Sequence, residues 1–275
     1  MTRPDTRTGA PPEARPSTGR LGPVFAVVAA GVAMSNLDMF IVNVALPEIG
    51  EEMSGSSLPA LSWVLNAYAV VFAALLVPLG DLADRVGARR TYLAGVAIFT
   101  AASALCAPAP SVWALVAARI VQAAGAAMLT PASLSLLLAA APPERRTAAV
   151  RGWTAISGLA AALGPVAGGL LCQAGWRWVF LVNLPVGAAA LVAGLYVLPR
   201  TAAVRNARRH DTAGAGVLTV AVAALALGLV RSDEWGWASA EVIGCLAAAA
   251  LLAAVFAVRS ARHPDPIVPP ALLRV

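Results

Sequence analysis

Asp38 and Arg119 are each the single charged residue within a long apolar stretch, and each is a group that can do chemistry where water is scarce. A carboxylate in such a place can take up a proton or a cation, and a guanidinium can stabilise a nearby acid or govern its proton exchange. Both also have a structural explanation. Asp38 could be a hydrogen-bonded acid that steadies its helix, and Arg119 a permanent interhelical partner or a side chain reaching toward the surface. The surrounding chain is built for a bilayer: 59% of its residues are hydrophobic, 12% are charged, and mean hydropathy is +0.77. A soluble domain carries roughly twice that charged fraction.

The elements that must hold these two residues are apolar helices. Uncharged stretches of about 20 residues cross the hydrocarbon, and eight are expected, at 22–46, 60–79, 91–107, 112–139, 152–173, 178–198, 213–230 and 239–258. The third and fourth share one uncharged run and divide at Ala107-Pro108-Ala109-Pro110-Ser111, which reads as a turn. A signal peptide is a poor account of the first, because it is long, contains Asp38 and precedes seven more. The fold class expected is all-α integral membrane.

Charge asymmetry supplies an independent check. There is no lysine, and 17 of the 20 arginines fall in the amino-terminal tail, alternate loops and the carboxy-terminal segment. Arg177 and Arg231 lie on the opposite side with Glu48, Glu51, Glu52, Asp233, Glu234 and Glu241. The positive-inside rule therefore puts both ends in the cytoplasm and requires an even number of spans. Residues 1–20, rich in Pro, Thr and Arg, read as a disordered cytoplasmic tail. The net charge of +6 is explained by orientation and contact with anionic lipid rather than by nucleic acid. Cys106, Cys172 and Cys245 lack metal-ligand spacing and read as packing residues, so neither a metal nor a cofactor is expected.

Three local patterns add detail. Between the second and third spans, Gly80 to Arg90 reads as a cytoplasmic loop with two carboxylates and several guanidiniums. Its glycines suggest a tight turn in which Asp84 bonds an arginine near a helix end. In the fifth span, Gly158, Gly164, Pro165, Gly168 and Gly169 suggest a kinked helix able to approach its neighbour closely. Trp176, Trp178, Trp235 and Trp237 suit an aromatic belt at the outer interface.

Gly80-Asp81-Leu82-Ala83-Asp84-Arg85-Val86-Gly87-Ala88-Arg89-Arg90 resembles the loop motif of the major facilitator superfamily. Leu37 to Pro47, Arg119 to Ala127, Gly164 to Gly169 and Trp176 to Gly187 resemble signatures of one branch, the drug:proton antiporters with 14 spans. Three positions depart from the usual residue: Phe40 stands where threonine is common, and Ala123 and Ala160 where glycine is common. The resemblance implies an amino-terminal six-helix bundle over 21–199. A cytoplasmic loop and two additional helices would follow over 200–258, and 259–275 would lead into a ninth span. It further implies proton-coupled efflux through a bacterial cytoplasmic membrane, without cofactor. Asp38, Asn43, Arg119 and Gln122 become the proton-coupling or substrate residues. Gly80, Asp84, Arg85, Gly87 and Arg89 become a conformational latch, and Gly164, Pro165, Gly168 and Gly169 the helix interface.

The substrate class expected is a small hydrophobic or cationic compound, with protons and membrane lipids as the other partners. Because alternating access needs two bundles, either a carboxy-terminal bundle or a second chain is expected as well. Transport of another solute, or a non-transporting membrane interaction module, are the other readings. An enzyme is disfavoured: no acid/base set or metal cluster stands out, and His210 and His263 lie in Arg-flanked polar segments.

Overall fold

The computed structural model describes residues 21–53, 56–200 and 211–263, and within them every regular element is helical. The helices are α1 (Leu21–Glu52), α2 (Leu58–Val86), α3 (Ala88–Cys106), α4 (Val112–Ala140), α5 (Arg146–Cys172), α6 (Trp178–Leu181), α7 (Asn183–Val197), α8 (Thr212–Val230), α9 (Ser232–Trp235) and α10 (Ala240–Arg262). Helix is what hydrocarbon demands, since it satisfies backbone N–H and C=O groups within one segment. Side chains begin several of them: Ser57, Ser111, Asp211 and Ser239 each accept a bond from a first-turn backbone N–H. The tail at 1–20, the segment 201–210 and the lead-in from 264 onward lie outside the described residues.

Among the described residues, seven helical segments are long and apolar enough to span a membrane, so this is a multi-pass membrane bundle. The expected span missing from these seven is the third, α3, a 19-residue helix made less apolar by Arg89 and Arg90 in its first turn. The sixth expected span is broken: α6 stops at Leu181 and α7 starts at Asn183, with Val182 between them. Helices also outrun their apolar cores. α1 continues through Pro47 to Glu52, α5 begins at Arg146, and α10 reaches Arg262.

The segment expected as a loop after α2 is mostly helix. α2 runs through Gly80 and Asp84 to Val86, and only Gly87 breaks it before α3 begins at Ala88. Gly87 has φ 102°, a conformation that a β-carbon disfavours. One glycine turns the chain, whereas Gly80 lies within the helix against Pro131.

Small residues set the helix spacing. Gly95 on α3 and Gly125 on α4 face each other so closely that a β-carbon on Gly95 would lie 2.8 Å from the Gly125 carbonyl, and one on Gly125 would lie 2.9 Å from the Gly95 carbonyl. α1 packs along α5 and α4 along α2, while α8 pairs with α10 and rests on α2. The buried apolar side chains form two clusters. One runs up α1 from Val24 to Met34, and the other from Ile41 to Ile49. Between them lies a layer of buried polar residues.

Candidate functional site

That layer contains both residues with which the sequence reading began. Asp38 on α1 is 0% exposed and Arg119 on α4 is 1% exposed, and they form an ion pair through Arg119 Nη1 and Asp38 Oδ2. Gln122, one turn along α4, accepts from the same Nη1 at 2.6 Å and donates through Nε2 to Asp38 Oδ1 at 2.9 Å. Asn183, at the start of α7, donates to that Oδ1 at 2.8 Å. Ser103 on α3 accepts from Gln122 at 2.8 Å and from Asn183 at 3.4 Å. Arg119 Nε donates to the Val64 carbonyl of α2 at 3.2 Å, and its guanidinium carbon stands 4.1 Å from the centre of the Tyr68 ring. Helices α1, α2, α3, α4 and α7 thus converge on one charge pair.

A break at Val182 brings Asn183 to the carboxylate at the head of a fresh helix. The arrangement meets the conditions for a tolerable buried ion pair, with each charge given further hydrogen bonds. Besides Asp38, Arg119 is held by Gln122, the Val64 carbonyl and the Tyr68 ring.

Asn43 does not join this centre. Five residues at about 100° each carry it to a different flank of α1 from Asp38, where it is exposed and donates to the Met39 carbonyl at 3.3 Å. There it lines a cavity of about 520 Å³ beside Pro47, Gly50 and Leu61. The expected bond between Asp84 and an arginine is replaced by an ion pair within α2, from Arg85 to Asp81. Four-residue spacing puts those two on one helix face. Arg89 instead donates to the Leu195 carbonyl at 2.6 Å, tying the start of α3 to the last turn of α7.

The glycine-rich helix divides in two. Ala160, Gly164 and Gly168 are buried on one stripe of α5. A β-carbon on Gly164 would come within 2.5 Å of Phe40 Cβ, and one on Gly168 within 3.0 Å of the Ile41 carbonyl. Gly158 and Gly169, grouped with them in the sequence reading, have no such neighbour within 4 Å, so the interface to α1 excludes them. Pro165 sits within α5 between the two contact glycines.

Ser103, Asn183 and Tyr68 were not singled out from sequence. The available signal was a polar side chain in an apolar helix, which marks Ser103 and Asn183 in the same way that charge marks Asp38. The aromatic belt also needs correction, since Trp176 is fully buried. Its indole donates to Glu52 at 2.7 Å, and Arg177 grips the same carboxylate with bonds of 2.7 and 2.6 Å, which raises the guanidinium pKa above its ordinary value. Trp178 and Trp237 are exposed as a belt requires. Trp235 and Trp63 flank Arg231, each ring centre 5.1 Å from the guanidinium carbon. Arg231 reaches Ser62 on α2 at 3.1 Å and pairs with Glu234. No cluster of metal-binding side chains occurs among the described residues.

Comparisons with known proteins agree with this architecture. The family model described as Major Facilitator Superfamily matches residues 28–263. The tetracenomycin C resistance and export protein of Streptomyces glaucescens is 40% identical over 93% of this chain and 48% of its own length. The methylenomycin A resistance protein of Bacillus subtilis is 38% identical over 91% of this chain and 54% of its own. The probable actinorhodin transporter of Streptomyces coelicolor is 37% identical over 90% and 42%. The chain spans about half the length of the curated relatives it matches. A crystal structure of an auto-inhibited POT family peptide transporter superposes with a TM-score of 0.59 over 91% of this chain and 57% of that one. At 19% identity it speaks to fold alone.

Proposed function

Because this chain belongs to the major facilitator superfamily, whose members are transport proteins rather than enzymes, we propose that it supplies the first part of a 14-span drug:proton antiporter. The cargo is a small hydrophobic drug or natural product, exported from a bacterial cell. The observation that carries the reading is the Asp38–Arg119 pair, buried mid-bundle within a polar network drawn from five helices. Relatives named for antibiotic resistance and export favour outward over inward transport. Arginine asymmetry favours a cytoplasmic amino terminus in the cell membrane.

In this mechanism a proton arriving at Asp38 neutralises the carboxylate and weakens the hold of α1 on Arg119. The altered balance biases which side the central cavity faces. The α2–α3 joint is the latch: Arg89 fixes it to α7, the Arg85–Asp81 pair stiffens the end of α2, and exposed Asp84 is the group that exchanges partners between access states. Gly164 and Gly168 let α5 ride against α1. A second bundle, from the same gene product or from another chain, completes the pathway.

The test is pH-gradient-driven efflux by the full-length gene product in inverted vesicles. The Asp38→Asn variant is expected to insert yet lose gradient-dependent flux. Complete burial also favours a second reading, a permanent structural pair. The double variant Asp38→Asn/Arg119→Gln separates the two, because it removes both charges. Restored protein without restored coupling supports the proton role, whereas flux with unchanged pH dependence would assign the pair to structure.

A further inference from the structure

A separate cavity of about 130 Å³ lies where α1, α2, α4 and α5 meet. It is close to the roughly 150 Å³ of an engineered apolar cavity that accepts one benzene ring. Tyr68, Phe72 and Trp153 contribute aromatic walls, and the Tyr68 and Phe72 rings lie nearly parallel, 5° apart in plane with centres 6.1 Å apart. The polar groups around it are the side chains of Ser35, Asn36, Thr130 and Ser157 and the hydroxyl of Tyr68. Among the described residues, no carboxylate or guanidinium lines it.

The hydrogen bonds of those polar groups decide what they can offer. Ser35 and Asn36 both donate to the Val32 carbonyl, at 3.1 and 2.9 Å. Thr130 donates to the Ala126 carbonyl at 2.8 Å and Ser157 to the Trp153 carbonyl at 2.9 Å. The Trp153 indole N–H is engaged by Ser133 at 3.1 Å. With the three hydroxyl donors committed to protein oxygens, the side-chain oxygens of Ser35, Thr130 and Ser157 remain as acceptors, while the second Asn36 amide N–H and the Tyr68 hydroxyl can still donate. The pocket therefore matches a ligand group that both donates and accepts, as a hydroxyl does.

Charge selects further. A cation entering here meets no acid among the described lining residues, and Asp38 is fully buried and already paired. The Tyr68 ring already carries the Arg119 guanidinium 4.1 Å from its centre. A ring that serves one cation is a poor partner for a second, because the first withdraws the negative potential the second needs. A neutral, electron-rich ring suffers no such penalty and gains stacking area.

Resting on the export reading above, we propose that this pocket is a substrate subsite for one ring of a neutral, hydroxylated aromatic compound, and that it discriminates against lipophilic cations. Thr130 and Ser157 accept from the ligand hydroxyl, while Phe72 and Trp153 hold its ring.

The test uses the full-length gene product in nanodiscs and three probes of one shape: 2-naphthol, 2-methoxynaphthalene and a naphthyl trimethylammonium salt. Equilibrium binding is read by probe fluorescence with no pH gradient. Naphthol is expected to bind about tenfold more tightly than its methyl ether, the equivalent of one net hydrogen bond, and more tightly than the cation. Thr130→Val and Ser157→Ala, on different helices, should each bring the naphthol-to-ether ratio to about threefold or less with the melting midpoint unchanged. Phe72→Leu should weaken naphthol and ether together. Equal affinities for naphthol and ether, preference for the cation, or a ratio untouched by both hydroxyl variants would overturn the subsite. Naphthol selectivity without gradient-driven flux of any compound would leave the subsite in place and overturn export. Flux without naphthol selectivity would do the reverse.

Discussion

Asp38 is a chemically ambiguous residue made specific by its neighbours. Its carboxylate accepts from Arg119, Gln122 and Asn183, which together fix its position in the bundle. The same contacts predict a stability asymmetry. Removing only the acid or only the arginine leaves an unmatched buried charge, at a cost of about 3–5 kcal/mol, while removing both charges together costs much less. Thermal unfolding of Asp38→Asn, Arg119→Gln and the double variant in detergent should therefore give two strongly destabilised proteins and one near the parent. Additive losses would mean that the two residues do not act as a pair.

For the elements, small residues and helix breaks position the chemistry. Gly164 and Gly168 bring α5 onto α1 near the turn that carries Asp38, and the interruption at Val182 places Asn183 where a continuous helix need not. Gly164→Ala is expected to destabilise by about 1–3 kcal/mol, because its new methyl group meets Phe40 and helix backbones yield little. Gly169→Ala, facing open space, should leave the melting midpoint nearly unchanged. Equal effects at the two positions would show that general flexibility of α5 matters rather than its contact with α1.

Across the whole molecule, two polar clasps hold the α8–α10 pair in place. Arg231 joins the end of α8 to Ser62 and Trp63 on α2, and Asp211 at the other end accepts from Arg259 of α10 at 2.7 Å and from the Gly214 N–H at 2.7 Å. Burial alone would push the Asp211 carboxyl up, but those two donors outweigh it and hold its pKa below the ordinary 3.8. A depressed folded-state pKa gives stability that is fully present above the ordinary value and lost as pH falls through the lower, folded value. The melting-temperature advantage of the parent over Asp211→Asn should thus be flat near neutrality and shrink only in strong acid, below about pH 4. An advantage that shrank between pH 5 and 7 would implicate a different group.

Composition and apolar length alone determined that this chain is a helical membrane protein, because hydrocarbon leaves a spanning backbone no other open choice. They also located Asp38 and Arg119, since a charge interrupting a long apolar run is visible without any fold. Local sequence was less informative about where helices stop: polar Gly80 to Val86 reads as loop, yet helical hydrogen bonds continue past the apolar core until Gly87. Only tertiary structure decided that Asn43 turns away while Ser103, Asn183 and Tyr68 converge, and that Trp176 is buried rather than part of a belt. Those outcomes depend on the rotation and spacing of packed helices, set by contacts such as Gly95 with Gly125 between residues far apart in the chain.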